Sequence, residues 1–290
     1  MKVRIVANPI SGGGRGRTQA EALHRALQSK VEDPELVLTQ RAGDATSAAG
    51  RPGADCIVAV GGDGTVNEIA NGMRETDALL AILPMGTANV VARELGIPND
   101  PEAVAQLIAA ESVRVMDAGV ADEKLFLLGA GAGLDAAIAK AVSEHRGKSS
   151  SYIRWVMPTI RTSFSYTYPE IRVVVDGETV SETAQYTIVG NCRYSAGAFE
   201  ATPKARIDDG LLDVCMFHRL SIPKLVLILS QVRSGRFLEW DDVTYVQGRE
   251  IQLEAAGNEA VPLQIDGDPA GEIPRAFSVV PGAIRVVAPI

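Results

Sequence analysis

Cysteine is scarce: three in 290 residues, at positions 56, 192 and 215, far apart and flanked by apolar neighbours. That excludes a disulfide framework and a Cys-based zinc site, and reads as buried thiols in a reducing compartment. Histidine is equally scarce, three residues, all outside the glycine-rich segments, which weakens any His-based catalysis or metal site. Aromatic residues make up only 5%, so the core must rest on aliphatic packing. No apolar run approaches the roughly 18 residues a membrane-spanning helix needs. The best, Leu125–Leu134, is short and rich in Gly and Ala. Basic residues number 28 against 36 acidic ones, and the net charge of −8 argues against a nucleic-acid binder. Met1-Lys2-Val3-Arg4 runs into a strand-like segment and a glycine loop, without the apolar core of a signal peptide, so a cytoplasmic protein is expected. Repeats and low-complexity segments are absent.

What is there fits a globular chain: 46% hydrophobic and 22% charged residues, and a length suited to two domains. Up to about residue 119 strand and helix alternate. Val3–Asn8, Leu36–Thr39, Cys56–Val60 and Leu79–Leu83 read as strands; Cys56–Val60 is an unbroken apolar run, as expected of a strand buried on both faces. Thr18–Ser29, Thr65–Asn71 (with Gly72 as its stop), Ala88–Leu95 and Pro101–Ala110 read as helices. This order predicts a parallel sheet covered by helices, with ligands at the carboxyl ends of its strands. Three special loops fall there: Ser11–Gly16, Gly61–Gly64 and Pro84–Asn89.

Beyond Val113–Val120 strands dominate: Leu125–Leu128, Ile171–Val175, Tyr186–Asn191, Leu212–Phe217, Val243–Gln247, Glu250–Leu253, Leu263–Asp266, Ala276–Val280 and Ile284–Val287. Asp176-Gly177 between two apolar runs signals a hairpin. Helical patterns interrupt at Asp135–Glu144, Ser151–Ser163 and Ile222–Arg233. An antiparallel β domain with helical insertions is expected, with the boundary near 118.

The sharpest motif is Gly61-Gly62-Asp63-Gly64-Thr65-Val66-Asn67-Glu68, directly after the buried strand and opening a helix. Its glycines let backbone approach a phosphate, and the helix start adds N–H donors and a positive dipole end. An acid in such a place, Asp63, implies Mg²⁺ or a proton to remove. The loop Asn8-Pro9-Ile10-Ser11-Gly12-Gly13-Gly14-Arg15-Gly16 is neither a Walker A loop nor a dinucleotide fingerprint, since Arg17 stands where the last glycine would fall. In Pro84-Met85-Gly86-Thr87-Ala88-Asn89, Thr87 and Asn89 offer short polar groups to a nucleotide or metal.

Asp266 and Asp268 lie two apart. If the strand continues to Asp268 they share a face; if it ends at Gly267 they hang at its tip. Either way two near carboxylates suit a base or a metal ligand. Asp208-Asp209-Gly210, read alone, is a type I turn or hairpin.

Together, Asn8-Pro9 with Ser11-Gly12, the segment Gly61–Glu68, and Gly86-Thr87-Ala88-Asn89 resemble the catalytic domain of diacylglycerol and sphingosine kinases, nearest the small bacterial YegS-like lipid kinases. Pro203-Lys204-Ala205-Arg206-Ile207-Asp208-Asp209-Gly210-Leu211-Leu212-Asp213 resembles that family's Pro-x-Ala-x-x-Asp-Asp-Gly-x-Leu-Asp segment, and Gln264-Ile265-Asp266-Gly267-Asp268 its Asp-Gly-Glu segment. The fold this implies is an α/β N-terminal domain with a parallel sheet, of the NAD kinase and diacylglycerol kinase type, over 1–118. An antiparallel β-sandwich-like C-terminal domain with helical insertions would follow over 119–290. The activity implied is transfer of the γ-phosphoryl group of ATP, with Mg²⁺, to a lipid hydroxyl of diacylglycerol or a related lipid. Gly-Gly-Asp-Gly is shared with NAD kinases, so an NAD kinase-type enzyme is the alternative, as is a nucleotide- or lipid-binding sensor without turnover.

By the same resemblance, Asn8, Gly12, Gly13, Gly14, Thr39, Gly61, Gly62, Asp63, Gly64, Thr65, Val66, Asn67 and Thr87 match nucleotide-binding positions. The carbonyls of Arg206 and Leu211 with the Asp209 carboxylate match a Mg²⁺ site, and Asp268 matches the general base, which is usually Glu and one methylene longer. Ser195-Ala196-Gly197 replaces a stretch usually richer in glycine. Residues 145–169 hold Arg146, Lys148, Arg154 and Arg161 with no acid, and five aromatics. That composition suits a helix at a lipid interface or one packed between domains, so peripheral contact with the inner membrane face is expected. A homo-dimer stays open.

Overall fold

The computed structural model describes residues 1–144, 159, 161–195, 199–231 and 235–290. The basic, aromatic stretch noted above falls largely on 145–158 and 160, outside the described residues. The chain divides into two compact units, 1–118 with 280–290, and 119–279.

In the first unit β1 (Lys2–Ala7), β2 (Glu32–Leu38), β3 (Cys56–Gly61) and β4 (Leu79–Pro84) form a parallel sheet in the order β2-β1-β3-β4. Every residue of β3 and β4 is buried, which explains their unbroken apolar runs: helices cover both faces. The helix α2 (Gly16–Leu27) turns Ala20, Leu23 and Leu27 inward, and α4 (Asp63–Gly72) buries Val66, Ile69 and Ala70. At α6 (Pro101–Ala109), the Asp100 side chain accepts the N–H of Ala103, and Pro101 opens the helix where its missing N–H costs nothing.

Gly72 does not stop α4. It is the last helical residue, and a Cβ there would lie 2.3 Å from the carbonyl oxygen of Thr46. Its role is close approach to α3 (Asp44–Ala49), a short alanine-rich helix without enough length to show a period in the sequence.

The two strands expected at Ala276–Val280 and Ile284–Val287 are one strand, β18 (Arg275–Val287). Pro281-Gly282 interrupts the apolar pattern but not the strand, because the Gly282 N–H is taken by the buried carboxylate of Asp117 at 2.7 Å. Near its end Val286 pairs in parallel with Leu80, and the Ala288 N–H donates to the Ser112 carbonyl at 2.9 Å. These bonds place 280–290 in the first unit, where the sequence reading ran the second half to residue 290.

The second unit is the expected antiparallel sandwich. One sheet contains β15 (Glu250–Ala255) between the start of β18 and β8 (Ile171–Val175), with β9 (Glu178–Ala184) outermost. Asp176 and Gly177 both have positive φ, and they make the tight β8–β9 turn that their sequence signals. The other sheet runs β14 (Val243–Gly248), β13 (Leu212–Phe217), β10 (Tyr186–Gly190), β7 (Gly129–Ala132), β16 (Pro262–Ile265), β17 (Asp268–Glu272). Inward side chains of both sheets, among them Val173, Ile251 and Phe277 against Val189, Val214 and Leu263, form one core. On the opposite face of the second sheet Tyr186 and Phe217 stack with centroids 5.5 Å apart, Phe237 of the short 3-10 helix Arg236–Glu239 stacks on Phe217 at 5.9 Å, and Ile228 of α9 (Ile222–Gln231) packs into the same cluster. Each such burial contributes about 1.5–3 kcal/mol.

Candidate active site

Three loops leave the carboxyl ends of β1, β3 and β4 and meet. In the first, Asn8 Oδ1 accepts the Ile10 N–H at 3.2 Å, and Gly12, Gly13 and Gly14 take φ of 62°, 70° and 91°. Such left-handed backbone is costly for any residue with a Cβ, which is why glycine is repeated there. The second and third loops touch backbone to backbone: a Cβ on Gly86 would stand 2.6 Å from the Cα of Gly62. The Met85 N–H donates to the Gly61 carbonyl at 2.7 Å, and Asn89 folds back so that its amide brackets Gly86, accepting at 2.7 Å and donating at 2.9 Å. Asn89 is therefore committed to its own loop.

Between the loops lies a cavity of about 640 Å³, a size suited to a nucleotide-sized ligand. Of the positions singled out from the sequence, Asn8, Gly12, Gly13, Gly62, Gly64, Thr65 and Thr87 line it. Gly14, Thr39, Gly61, Asp63, Val66 and Asn67 are not among its lining residues. Val66 is on the buried face of α4, Thr39 donates its N–H to the Ala7 carbonyl at 2.9 Å beside the sheet edge, and Asn67 accepts from Asn71 within the helix. Ser11, Arg15, Glu68, Met85 and Gly86 also line the cavity and were not singled out as site residues. Among the described residues Arg15 is the one cation of the lining; its Nε donates to the Gly12 carbonyl at 3.0 Å. Its place inside a glycine loop was the available signal.

Asp63 is half-buried in the first turn of α4. Its Oδ1 accepts the Val90 N–H at 2.7 Å, at the start of α5 (Val90–Glu94). Burial pushes its carboxyl above the ordinary aspartate value, against backbone N–H bonds that favour the charged form. Asp63 thus ties the second loop to the third, and any role toward phosphate acts from that braced position.

The second unit holds the remaining acids. Strand β16 ends at Ile265, and Asp266-Gly267, with φ of 51° and 87°, make a two-residue turn into β17. The Asp266 carboxylate accepts three backbone N–H groups: Leu127 at 2.9 Å, Leu128 at 2.9 Å and Gly129 at 3.1 Å. Asp268 opens β17 opposite Ile265, with its side chain exposed. Asp209 forms the turn its sequence suggested: Oδ1 accepts the Leu211 N–H at 3.1 Å, while Arg206 pairs with Asp208 at 3.3 Å. Nearby Asp213 is buried and bonded by the Tyr245 hydroxyl at 2.5 Å and the Gln247 amide at 3.3 Å. Burial raises its carboxyl, and the charge of Asp209 adds to the effect. Among the described residues no three His, Cys, Asp or Glu side chains cluster as metal ligands. The Asp209 carboxylate and the carbonyls of Arg206 and Leu211, expected from the sequence at a Mg²⁺ site, are oxygen atoms, the donor type that Mg²⁺ takes.

Comparison with known proteins bears on this arrangement. The diacylglycerol kinase catalytic domain model matches residues 2–121, and the YegS C-terminal NAD kinase beta sandwich-like domain model matches residues 129–288. A diacylglycerol kinase of Mycobacterium tuberculosis is 30% identical over 299 residues, covering 99% of this chain and 95% of its own length. The chain belongs to the diacylglycerol kinase family. Another diacylglycerol kinase, from Bacillus subtilis, is 26% identical over 301 residues, with 99% and 96% coverage. A crystal structure of a diacylglycerol kinase from Bacillus anthracis str. Sterne superposes with a TM-score of 0.76 at 25% identity, over 99% of this chain and 96% of that one. A further crystal structure from the same organism gives 0.81 at 27% identity, with 99% and 96% coverage. Both family models sit on the elements described above, so the three-loop cavity belongs to the family's catalytic domain, and the chain is a kinase.

Proposed function

We propose that this kinase transfers the γ-phosphoryl group of ATP to the hydroxyl of a lipid, diacylglycerol or a close relative. The observation that carries the reading is the cavity itself: three glycine-bearing loops, the start of α4 and Arg15 around one space. Backbone N–H groups, a helix N-terminus and a guanidinium are what a polyphosphate needs to be held and its transferring charge stabilised. Asp63 keeps the second and third loops in register through Val90. Asp268 accepts the proton of the acceptor hydroxyl, a step that any transfer to an alcohol requires. Mg²⁺, when bound, neutralises phosphate charge; in the second unit Asp209 and the carbonyls of Arg206 and Leu211 would hold such an ion.

A lipid acceptor asks for contact with a bilayer. The second unit presents Phe164 at 72% exposure, and Val226 and Leu227 of α9 at 62% and 48%. With the exposed Arg161, these support transient docking on an anionic membrane surface at the inner face. No described helix is long and apolar enough to cross a membrane.

The test is transfer of radiolabelled γ-phosphate from ATP to diacylglycerol in anionic vesicles, to NAD, and to buffer alone. Labelled lipid is the expected product. Label in NAD without label in lipid would replace this reading with a nucleotide-cofactor kinase, and label in neither would overturn both acceptors.

A further inference from the structure

Gln264 lies in the middle of β16. Its neighbours Leu263 and Ile265 pack into the sandwich core, so its own side chain stands on the opposite face. There the amide makes two bonds. Its Oε1 accepts the Gly267 N–H at 2.7 Å, and its Nε2 donates to Asp135 Oδ2 at 2.9 Å. The partners fix which end is which: a backbone N–H can only donate and a carboxylate only accepts.

Asp135 is itself held. It sits in the first turn of α7 (Leu134–Glu144), where Oδ1 accepts the Ala136 N–H at 2.7 Å, and it bonds to the Tyr186 hydroxyl. Its carboxylate lies flat against β7. A Cβ on Gly131 would stand 1.9 Å from Oδ2, so only glycine there leaves room for the acid.

The Asp266-Gly267 turn is thus braced from two directions. Asp266 anchors it to the N–H groups of residues 127–129, and Gln264 anchors Gly267 to Asp135. Asp268 follows directly. We propose that Gln264 is a positioning residue: held by Asp135, its amide sets the turn that places the Asp268 carboxylate for proton removal. This rests on the reading of Asp268 as the base. Proton transfer is sensitive to placement, and a displacement of about 1 Å can cost on the order of 100-fold in rate.

Among the described residues, Tyr186 of β10 and Tyr166 in the segment after residue 161 interact with Asp135, and β17, which packs against α7, carries Asp268 and Glu272. Lys140 lies on α7 itself.

The test uses the full chain with ATP, Mg²⁺ and dioctanoylglycerol in mixed micelles. It reads kcat, both KM values, and hydrogen exchange at the Gly267 amide, which needs no substrate. Gln264→Leu should lower kcat by about 10- to 100-fold, leave the KM for ATP within about twofold, and speed Gly267 exchange. Gln264→Glu keeps an acceptor for Gly267 but sets a second carboxylate against Asp135. It should recover activity as pH falls and the pair takes up one proton, a recovery the Leu variant lacks. The pH recovery itself is read within the Glu variant, so it stands even if the Leu variant fails to fold. Unchanged kcat in Gln264→Leu beside an inactive Asp268→Asn would overturn the brace and leave the base in place. Full activity in Asp268→Asn would overturn both. If the wild-type protein leaves dioctanoylglycerol untouched, the substrate reading falls, and unchanged Gly267 exchange in Gln264→Leu would then overturn the brace by itself.

Discussion

Asp266 was a catalytic candidate by sequence, and its geometry makes a quantitative forecast of a different kind. One carboxylate receives three backbone N–H groups, from Leu127, Leu128 and Gly129. Hydrogen bonds to a charged group contribute about 1.5–3 kcal/mol each, but these share one acceptor and are not additive. Removing the carboxylate strands three donors in a partly buried strand connection, so a total loss of about 3–6 kcal/mol is expected for Asp266→Ala. The residue also has φ of 51°, where Ala is strained by roughly 1–2 kcal/mol more. Asp266→Asn separates these effects. Asn accepts the left-handed backbone and retains one oxygen for Leu128 and Gly129, but turns an NH₂ group toward the Leu127 N–H. It should cost about 2–3 kcal/mol, which at about 2–4 °C per kcal/mol is a fall in Tm of roughly 4–12 °C. Thermal melting followed by circular dichroism, with urea titration alongside, measures both variants. An Asn variant that melts within a degree of wild type yet has lost turnover would refute the clamp and return Asp266 to the chemistry.

Asp63→Asn keeps an oxygen for the Val90 N–H, so it should still fold while turnover falls at least about 100-fold; near-normal turnover on a verified lipid would remove Asp63 from the reaction. Burial raises the Asp135 carboxyl from 3.8 to about 6. The folded state therefore binds more protons than the unfolded one between those values, and stability falls as pH rises through that window. Asp135→Asn should lose this slope, and a wild-type stability that rises from pH 4 to 6.5 relative to the variant would contradict the buried placement. If Asp209 holds Mg²⁺, the metal should raise the Tm of wild type and not of Asp209→Ala; an equal rise in both would locate the ion elsewhere.

Much of the molecule was legible along the chain. Buried parallel strands announce themselves as apolar runs, Cys56–Val60 and Leu79–Leu83 among them, because both faces need the same residue types. The Asp176-Gly177 turn is legible because its positive φ values restrict which residues fit. Gly12, Gly13, Gly62 and Gly64, which line the cavity, were marked for a similar reason, since backbone that must approach a phosphate cannot carry side chains. These are local demands, and local demands leave local signatures.

The tertiary structure decided what those groups do. Asp63 caps a helix 27 residues on, Asp266 serves N–H groups 137 to 139 residues away, and Gln264 meets Asp135 across 129 residues. The closing strand returns to pair with β4, and Gly72 proved to be a contact rather than a stop. None of these leaves a period or a turn signature, because a hydrogen bond between distant segments constrains one side chain and one partner and nothing in between. The types of residue that chemistry would need were therefore set by sequence alone. Which of them line the cavity, and which carboxylates are held by backbone N–H groups, followed only from the packing of distant strands and helices against one another within each unit.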